Sequence, residues 1–137
     1  MRQKIAEKVR QIVAQRAQFR CEYCLVHQDD MFVSYAVDHI IAIKHGGGNE
    51  LTNLAYTCPY CNQYKGSDFT TFLESYDDIV VLFNPRKHDW DEHFEALDGE
   101  IVPLTRIGQA SVKIFRFNEP DLLTLRQILS QVGRYPG

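Results

Sequence analysis

Long hydrophobic runs are missing from this 137-residue sequence: the longest obvious aliphatic and aromatic stretch is Ile79 to Phe83, far short of the ~20 apolar residues that span a bilayer. No membrane partner is expected. The opening Met-Arg-Gln-Lys-Ile-Ala-Glu-Lys is too charged for the apolar stretch of a signal peptide, so the expected location is the cytoplasm. Internal repeats and low-complexity linkers are absent too, and a single domain over 1–137 is the expected organisation. With 45% hydrophobic and 24% charged residues, the chain also lacks the polar bias that prevents folding.

An excess of positive charge is likewise lacking. Fifteen Lys and Arg stand against eighteen Asp and Glu, a net charge of −3, which taken alone argues against a nucleic-acid partner. The distribution is uneven, however. Residues 1–20 carry Arg2, Lys4, Lys8, Arg10, Arg16 and Arg20 against Glu7, for +5, and residues 101–137 sum to +3. Between them, residues 21–66 sum to −3 and residues 67–100 to −8. Such polarity suits a basic face turned to DNA and an acidic one turned away; a solvated charge run is the plainer alternative.

Cysteine is limited to four residues, in two short-spaced pairs, Cys21-x-x-Cys24 and Cys58-x-x-Cys61, separated by 33 positions. In a reducing compartment such pairs seldom form lasting disulfides. Each Cys-x-x-Cys turn aims two sulfurs at one point, and two turns supply a tetrahedral thiolate set for a structural Zn2+ with no open position for substrate. The cysteines are therefore expected to fold the chain and to leave chemistry to other residues. A thioredoxin-like redox pair is the rival reading, but neither pair sits in an evident strand-to-helix unit of a parallel α/β fold.

Periodicity places these pairs on elements. Ile5, Val9, Ile12 and Val13 predict an amphipathic helix over about 3–17. Met31 to Ile43 is rich in β-branched and aromatic residues and ends at Gly46-Gly47-Gly48-Asn49, a turn from which Leu51 to Thr57 returns as a second strand. Pro59 suits the first turn of a short helix through Asn62 and Lys65, ending near Gly66. Further on, Ile79 to Phe83 reads as a buried strand, and Asp98-Gly99 as the turn of a hairpin between Phe94–Leu97 and Ile101–Leu104. Thr105 is placed to cap a helix with Ile107, Ala110 and Ile114 on one face. Asn118 and Pro120 are placed to open another carrying Leu122, Leu125, Leu129 and Val132.

Between the cysteine pairs lies a set of residues fit for phosphodiester hydrolysis, which needs a base for water, a cation for the developing phosphoryl charge, and groups to align them. Asp38-His39 ends the first strand, Asn53 begins the return strand, and Asn62 and Lys65 follow the last cysteine. Imidazole titrates near neutral pH and is a suitable base. Asp38 and Asn62 offer oxygens to an ion such as Mg2+ or Mn2+. Successive strand residues point to opposite faces, so a bulge at the strand's end is expected to bring Asp38 and His39 together. Singly, each residue has an ordinary structural explanation: a strand histidine, a turn aspartate, an asparagine brace.

Their order inside the cysteine frame closely resembles the HNH endonuclease family, through CEYC, VDHIIAIKHGGGNELTNL and CPYCNQYKG, over about residues 19–66. Residues 79–132, with LFNPR, WDEHF and Thr105-Arg106-Ile107-Gly108, also look like an extension found in some members. The resemblance implies an α+β fold. It is a zinc-stabilised ββα-metal core with an N-terminal helix and, over about 67–137, a C-terminal hairpin-plus-helices extension. It further implies His39 as general base, Asp38 as metal ligand, and Asn53 fixing the loop and the histidine's orientation. Asn62 takes the last motif position, held by His in some members, where an amide oxygen would replace an imidazole. Lys65 would approach a phosphate or stand as a solvated helix-end charge. His45 would contact DNA from the Gly-rich loop or merely decorate it. Water would attack phosphorus to give 5′-phosphate and 3′-hydroxyl ends.

His27, His88, His93, Trp90 and Phe94 are read as structural, and Arg86 and Lys87 as candidate phosphate contacts in an acidic region. A homodimer, or a protein partner supplying specificity, is compatible with so small a chain. The alternative function is a non-catalytic zinc module that binds nucleic acid or protein.

Overall fold

The structure, a computed structural model, describes residues 5–136. Helix α1 spans Glu7–Arg16, with an acid in its first turn and a base in its last, each complementing the helix dipole. Val13 and Ala14 are buried, and Ile5 and Val9 pack against the same core. Ile12, expected on that stripe, faces solvent, because one residue's rotation of ~100° from Val13 carries it off a narrow buried face. Residues 1–4, with Arg2, Lys4 and the expected start of the helix, lie outside the described residues.

Strands β1 (Ala36–His39) and β2 (Leu54–Thr57) pair antiparallel, with Asp38 opposite Ala55 and His39 opposite Leu54. Both are shorter than expected. Upstream, a 3-10 turn at Gln28–Asp30, capped by His27 Nδ1, diverts the chain and leaves Phe32 and Val33 in solvent. Downstream, further 3-10 turns at Ile43–His45 and Leu51–Asn53 fold residues 40–53 into a shaped loop. Helix α2 (Pro59–Lys65) then starts on a proline and stops at Gly66, completing a ββα unit.

Beyond it, β3 (Thr70–Phe72) and β4 (Ile79–Val81) form a hairpin that periodicity did not reveal. The buried strand expected over Ile79–Phe83 is corrected. Val80 alone of β4 is buried, Ile79 and Val81 are exposed, and the buried Leu82 and Phe83 follow the strand's end. A two-stranded ribbon covered on one face must alternate in this way.

Helix α3 (Trp90–His93) leads into the expected hairpin of β5 (Phe94–Leu97) and β6 (Glu100–Pro103). Its turn residues Asp98 (φ 50°) and Gly99 (φ 89°) both adopt the left-handed conformation such a turn requires. Helix α4 (Arg106–Phe115) is capped by Thr105, whose Oγ1 accepts from Gly108 N at 3.1 Å. Helix α5 (Pro120–Gln131) opens on its proline, but Asn118 is not its cap: that side chain bonds both N and O of Ile101. Val132 lies past the helix and is exposed.

One hydrophobic cluster runs from Val13 through Tyr23, Phe83 and Phe115 to Tyr135. Its polar ties bind the extension to the first cysteine turn: Trp90 Nε1 donates to Tyr23 O at 2.9 Å and Tyr135 Oη to Cys24 O at 2.7 Å. The architecture is α+β, a ββα core flanked by an N-terminal helix and a hairpin-plus-helices extension. Among the described residues no helix is long and apolar enough to cross a membrane.

Candidate functional site

The chain enters the first cysteine turn through an antiparallel bridge between Arg20 and His27, with Leu25 at φ 70° reversing it. The second turn is the start of α2, where Cys58 occupies the N-cap and its Sγ accepts from Cys61 N at 3.3 Å. Cys24 N approaches Cys21 Sγ at 3.5 Å in the same manner. These contacts aim all four sulfurs inward, to within 4.8 Å of one another, and all four residues are buried.

The Cys24 and Cys58 sulfurs are 3.8 Å apart. A tetrahedron with Zn–S bonds of ~2.3 Å has edges of about 3.8 Å, so the cluster fits a closed structural zinc site. Burial pushes the Cys61 thiol well above its ordinary value, so a cation bound there must displace protons. Sequence spacing located this site in full.

At the end of β1, Asp38, His39, Ala42, Ile43, Lys44, Gly66 and Ser67 line an open cleft of about 250 Å3. Asp38 and His39 therefore share one cavity, as expected, but no bulge brings them there. The strand pairing is one-to-one through His39, and the cleft lies over the strand's end, where adjacent residues on both faces can reach it.

Within the loop, Asn53 braces both ends. Its Oδ1 accepts from Ile41 N at 2.9 Å, and its Nδ2 donates to Ile41 O at 3.0 Å and Gly48 O at 2.9 Å. Gly47 packs so closely beneath this brace that a Cβ would fall 1.8 Å from Ile41 O. The histidine's own side-chain contact is a different residue, Asn49, whose Oδ1 lies 2.7 Å from His39 Nε2. Sequence reasoning took Asn49 as a turn former; its position after three glycines carries no separate signal.

Lys65 corrects the sequence reading most. It is neither a solvated charge nor presented at the surface: its side chain is 2% exposed, with Nζ 3.0 Å from Asp38 Oδ2 and donating to His39 O at 3.0 Å. Tyr23, inside the first cysteine turn, donates its hydroxyl to the same Asp38 oxygen at 3.1 Å. Burial, and then the neighbouring Asp38, push the Tyr23 phenol well above its ordinary value, so it remains a donor.

Asn62 is half-buried on α2, one turn before Gly66, and is not among the residues lining the cleft. His45 is exposed, with its ring edge-on to Phe69 at 5.3 Å, and also stands outside the lining. Lys44, not singled out from sequence, does line it.

The basic segments are drawn largely into internal bonds. Arg16 donates to Leu51 O and Leu54 O, Arg20 to Leu25 O, and the buried Arg126 to Gly99 O and Phe117 O. Arg134 pairs with Asp30, Arg106 with Asp78, and Arg86 with Glu22. Lys87 is exposed. His27, His88 and His93 each hold a local hydrogen bond, in keeping with the structural reading.

Comparison with known proteins bears on the same segment. Residues 21–68 match a family model described as HNH endonuclease, which takes in both cysteine pairs and every residue lining the cleft. No curated protein and no solved structure matches the chain.

Proposed function

We propose that this chain, whose residues 21–68 match the HNH endonuclease model, hydrolyses DNA phosphodiester bonds with His39 as general base and one divalent cation. The observation that carries the reading is the convergence of Asp38 and His39 on one open cleft beside the four-thiol cluster. With Asn49 Oδ1 accepting from Nε2, the ring proton sits on Nε2 and Nδ1 keeps its lone pair for water. Asn53 holds the loop that carries Asn49, and so acts on the base indirectly. Lys44 is the cleft's own positive charge for a phosphate, with His45 nearby in the same loop.

Carboxylate and amide oxygens suit a hard cation such as Mg2+ or Mn2+; Asp38 would hold it from the cleft, and Asn62, the second ligand proposed, stands outside the cleft lining. When bound, the cation supplies charge neutralisation on the phosphoryl oxygens. The Asp38 carboxylate is oriented for that duty by Tyr23 and Lys65. Water gives a proton to His39 and attacks phosphorus, the bond from phosphorus to the 3′ oxygen breaks, and that oxygen takes up a proton, leaving 5′-phosphate and 3′-hydroxyl ends.

Purified zinc-loaded protein with Mg2+ or Mn2+ should nick or linearise plasmid DNA, and His39→Ala should abolish this while leaving the thermal melt unchanged. Undiminished cutting by that variant would remove His39 from the mechanism.

The second reading is a zinc module that binds nucleic acid or protein without turnover; Arg126 is withdrawn from any phosphate, while Arg106 and Arg134 sit in exposed ion pairs. DNA binding without cleavage, unaltered by His39→Ala, would select it.

A further inference from the structure

A lysine ammonium in direct contact with a cation's carboxylate ligand is an electrostatic contradiction. Lys65 Nζ is 3.0 Å from Asp38 Oδ2, and the two side chains are 2% and 4% exposed. Burial makes the pair's mutual field strong, since little water lies between them to screen it. Nor can the lysine swing away when a second cation arrives. It also donates to His39 O at 3.0 Å, and its backbone is the last residue of α2, four positions after the thiol ligand Cys61. Asp38 is equally fixed, because Tyr23, fully buried and stacked on Phe115 at 4.6 Å, donates to the same oxygen.

The formal charges at the cleft follow. Asp38 contributes −1 and the equally buried Lys65 on it +1, while Asn62 is neutral, so the carboxylate is already balanced. Lys44, Glu50 and Asp68 are exposed, where solvent screens them. A hydrated divalent ion entering this site alone finds its carboxylate already neutralised by the ammonium on it. One entering with a phosphodiester is compensated, because the phosphate brings the missing negative charge and an oxygen ligand.

We infer that Lys65 makes cation binding conditional on substrate: its ammonium, held on Asp38, keeps the free protein's affinity for divalent ions low, and DNA phosphate restores it. This rests on the reading of Asp38 as a cation ligand. The consequence is a nuclease that carries little catalytic metal until DNA occupies the cleft. Lys65 is a positioning residue, acting through Asp38. A purely structural role for Lys65 predicts the opposite sign on substitution, since a disordered Asp38 would bind the ion less well.

The test is Mn2+ binding to zinc-loaded full-length His39→Ala protein, followed by electron paramagnetic resonance of the free ion, with and without a short DNA duplex. Mn2+ taken up by duplex alone is subtracted. The expected result is affinity at least about ten-fold higher with the duplex. In the same background, Lys65→Met should bind Mn2+ about ten-fold more tightly without DNA and show a smaller gain on adding it. Asp38→Asn should abolish the coupling.

Equal Mn2+ affinity with and without duplex overturns the inference, as does a folded, zinc-loaded Lys65→Met protein that binds free Mn2+ no more tightly than its parent. Coupling that survives Asp38→Asn overturns it too. Should Lys65→Met fail to fold, the duplex comparison on the parent decides. Plasmid cleavage by the unsubstituted protein is scored separately: coupling without cleavage sinks the nuclease reading and leaves this one standing, and cleavage without coupling does the reverse.

Discussion

His39 Nε2 lies 2.7 Å from Asn49 Oδ1, a side-chain contact across the Gly-rich loop. With Asn49 Oδ1 as acceptor, the contact places the ring proton on Nε2. Removing the contact leaves the ring free to turn and to change tautomer. Asn49→Ala should therefore lower kcat roughly 10- to 100-fold with little change in KM, the range found for hydrogen-bond partners of metal-ligating histidines. Single-turnover cleavage at saturating DNA measures this, and an unchanged rate would show that the loop orients His39 by other means.

Asn53 acts one step further out. Its three hydrogen bonds close the loop at Ile41 and Gly48, and each is worth about 1 kcal/mol net. Asn53→Ala should cost about 2–3 kcal/mol of loop order and accelerate hydrogen exchange at the Ile41 amide. Gly47→Ala should reach the same end by steric means, since its Cβ would fall 1.8 Å from Ile41 O. Native exchange rates at Ile41 in both variants would discount the brace.

Metal removal should be felt through the whole chain. The four thiols sit between α1, β2 and α2, and both Trp90 and Tyr135 hydrogen-bond to the first cysteine turn. Stripping zinc with a strong chelator should collapse the near-ultraviolet circular dichroism along with activity, and acid should promote the loss because thiols must release protons to bind the ion. Retention of native tertiary signal after complete zinc removal would show that the hydrophobic cluster suffices.

Arg126 anchors the extension. It is buried and donates to Gly99 O, Phe117 O and Asn118 Oδ1. Arg126→Met would remove this donor from Gly99 O and Phe117 O, while Asn118 Oδ1 keeps Ile101 N, and should destabilise the protein by roughly 3 kcal/mol. Urea unfolding monitored by Trp90 fluorescence reads the change. A shift below about 1 kcal/mol would mean that water replaces the guanidinium.

His88 offers a pH signature apart from the metal sites. Burial, and then the neighbouring His93 and Lys87, hold its ring below the ordinary imidazole value. A lowered histidine favours folding above the unfolded value of about 6.5, and that contribution is lost as pH falls through the lower folded value. An NMR titration should place the His88 midpoint below 6.5. A midpoint at or above the free value would contradict the burial seen around Phe83 and His93.

Much of this protein is determined by short-range chemistry, and that part is legible in the chain itself. Two Cys-x-x-Cys turns can be read as one metal centre because the spacing constrains where sulfurs point. Pro59, Thr105 and Asp98-Gly99 mark helix starts and a hairpin because each acts through its own backbone geometry. Asp38 and His39, adjacent in the cysteine frame, do line one cleft, whereas Asn53 braces the loop beside it. The fate of the charges is another matter. Whether Lys65 meets water or Asp38, whether Asn49 or Asn53 touches the imidazole, and whether the C-terminal arginines face DNA or bind carbonyl oxygens all depend on which distant segments pack together. A long cation looks the same in a sequence at the surface and in the interior. Burial and the partners available to it assign its role, and both are properties of the folded chain alone.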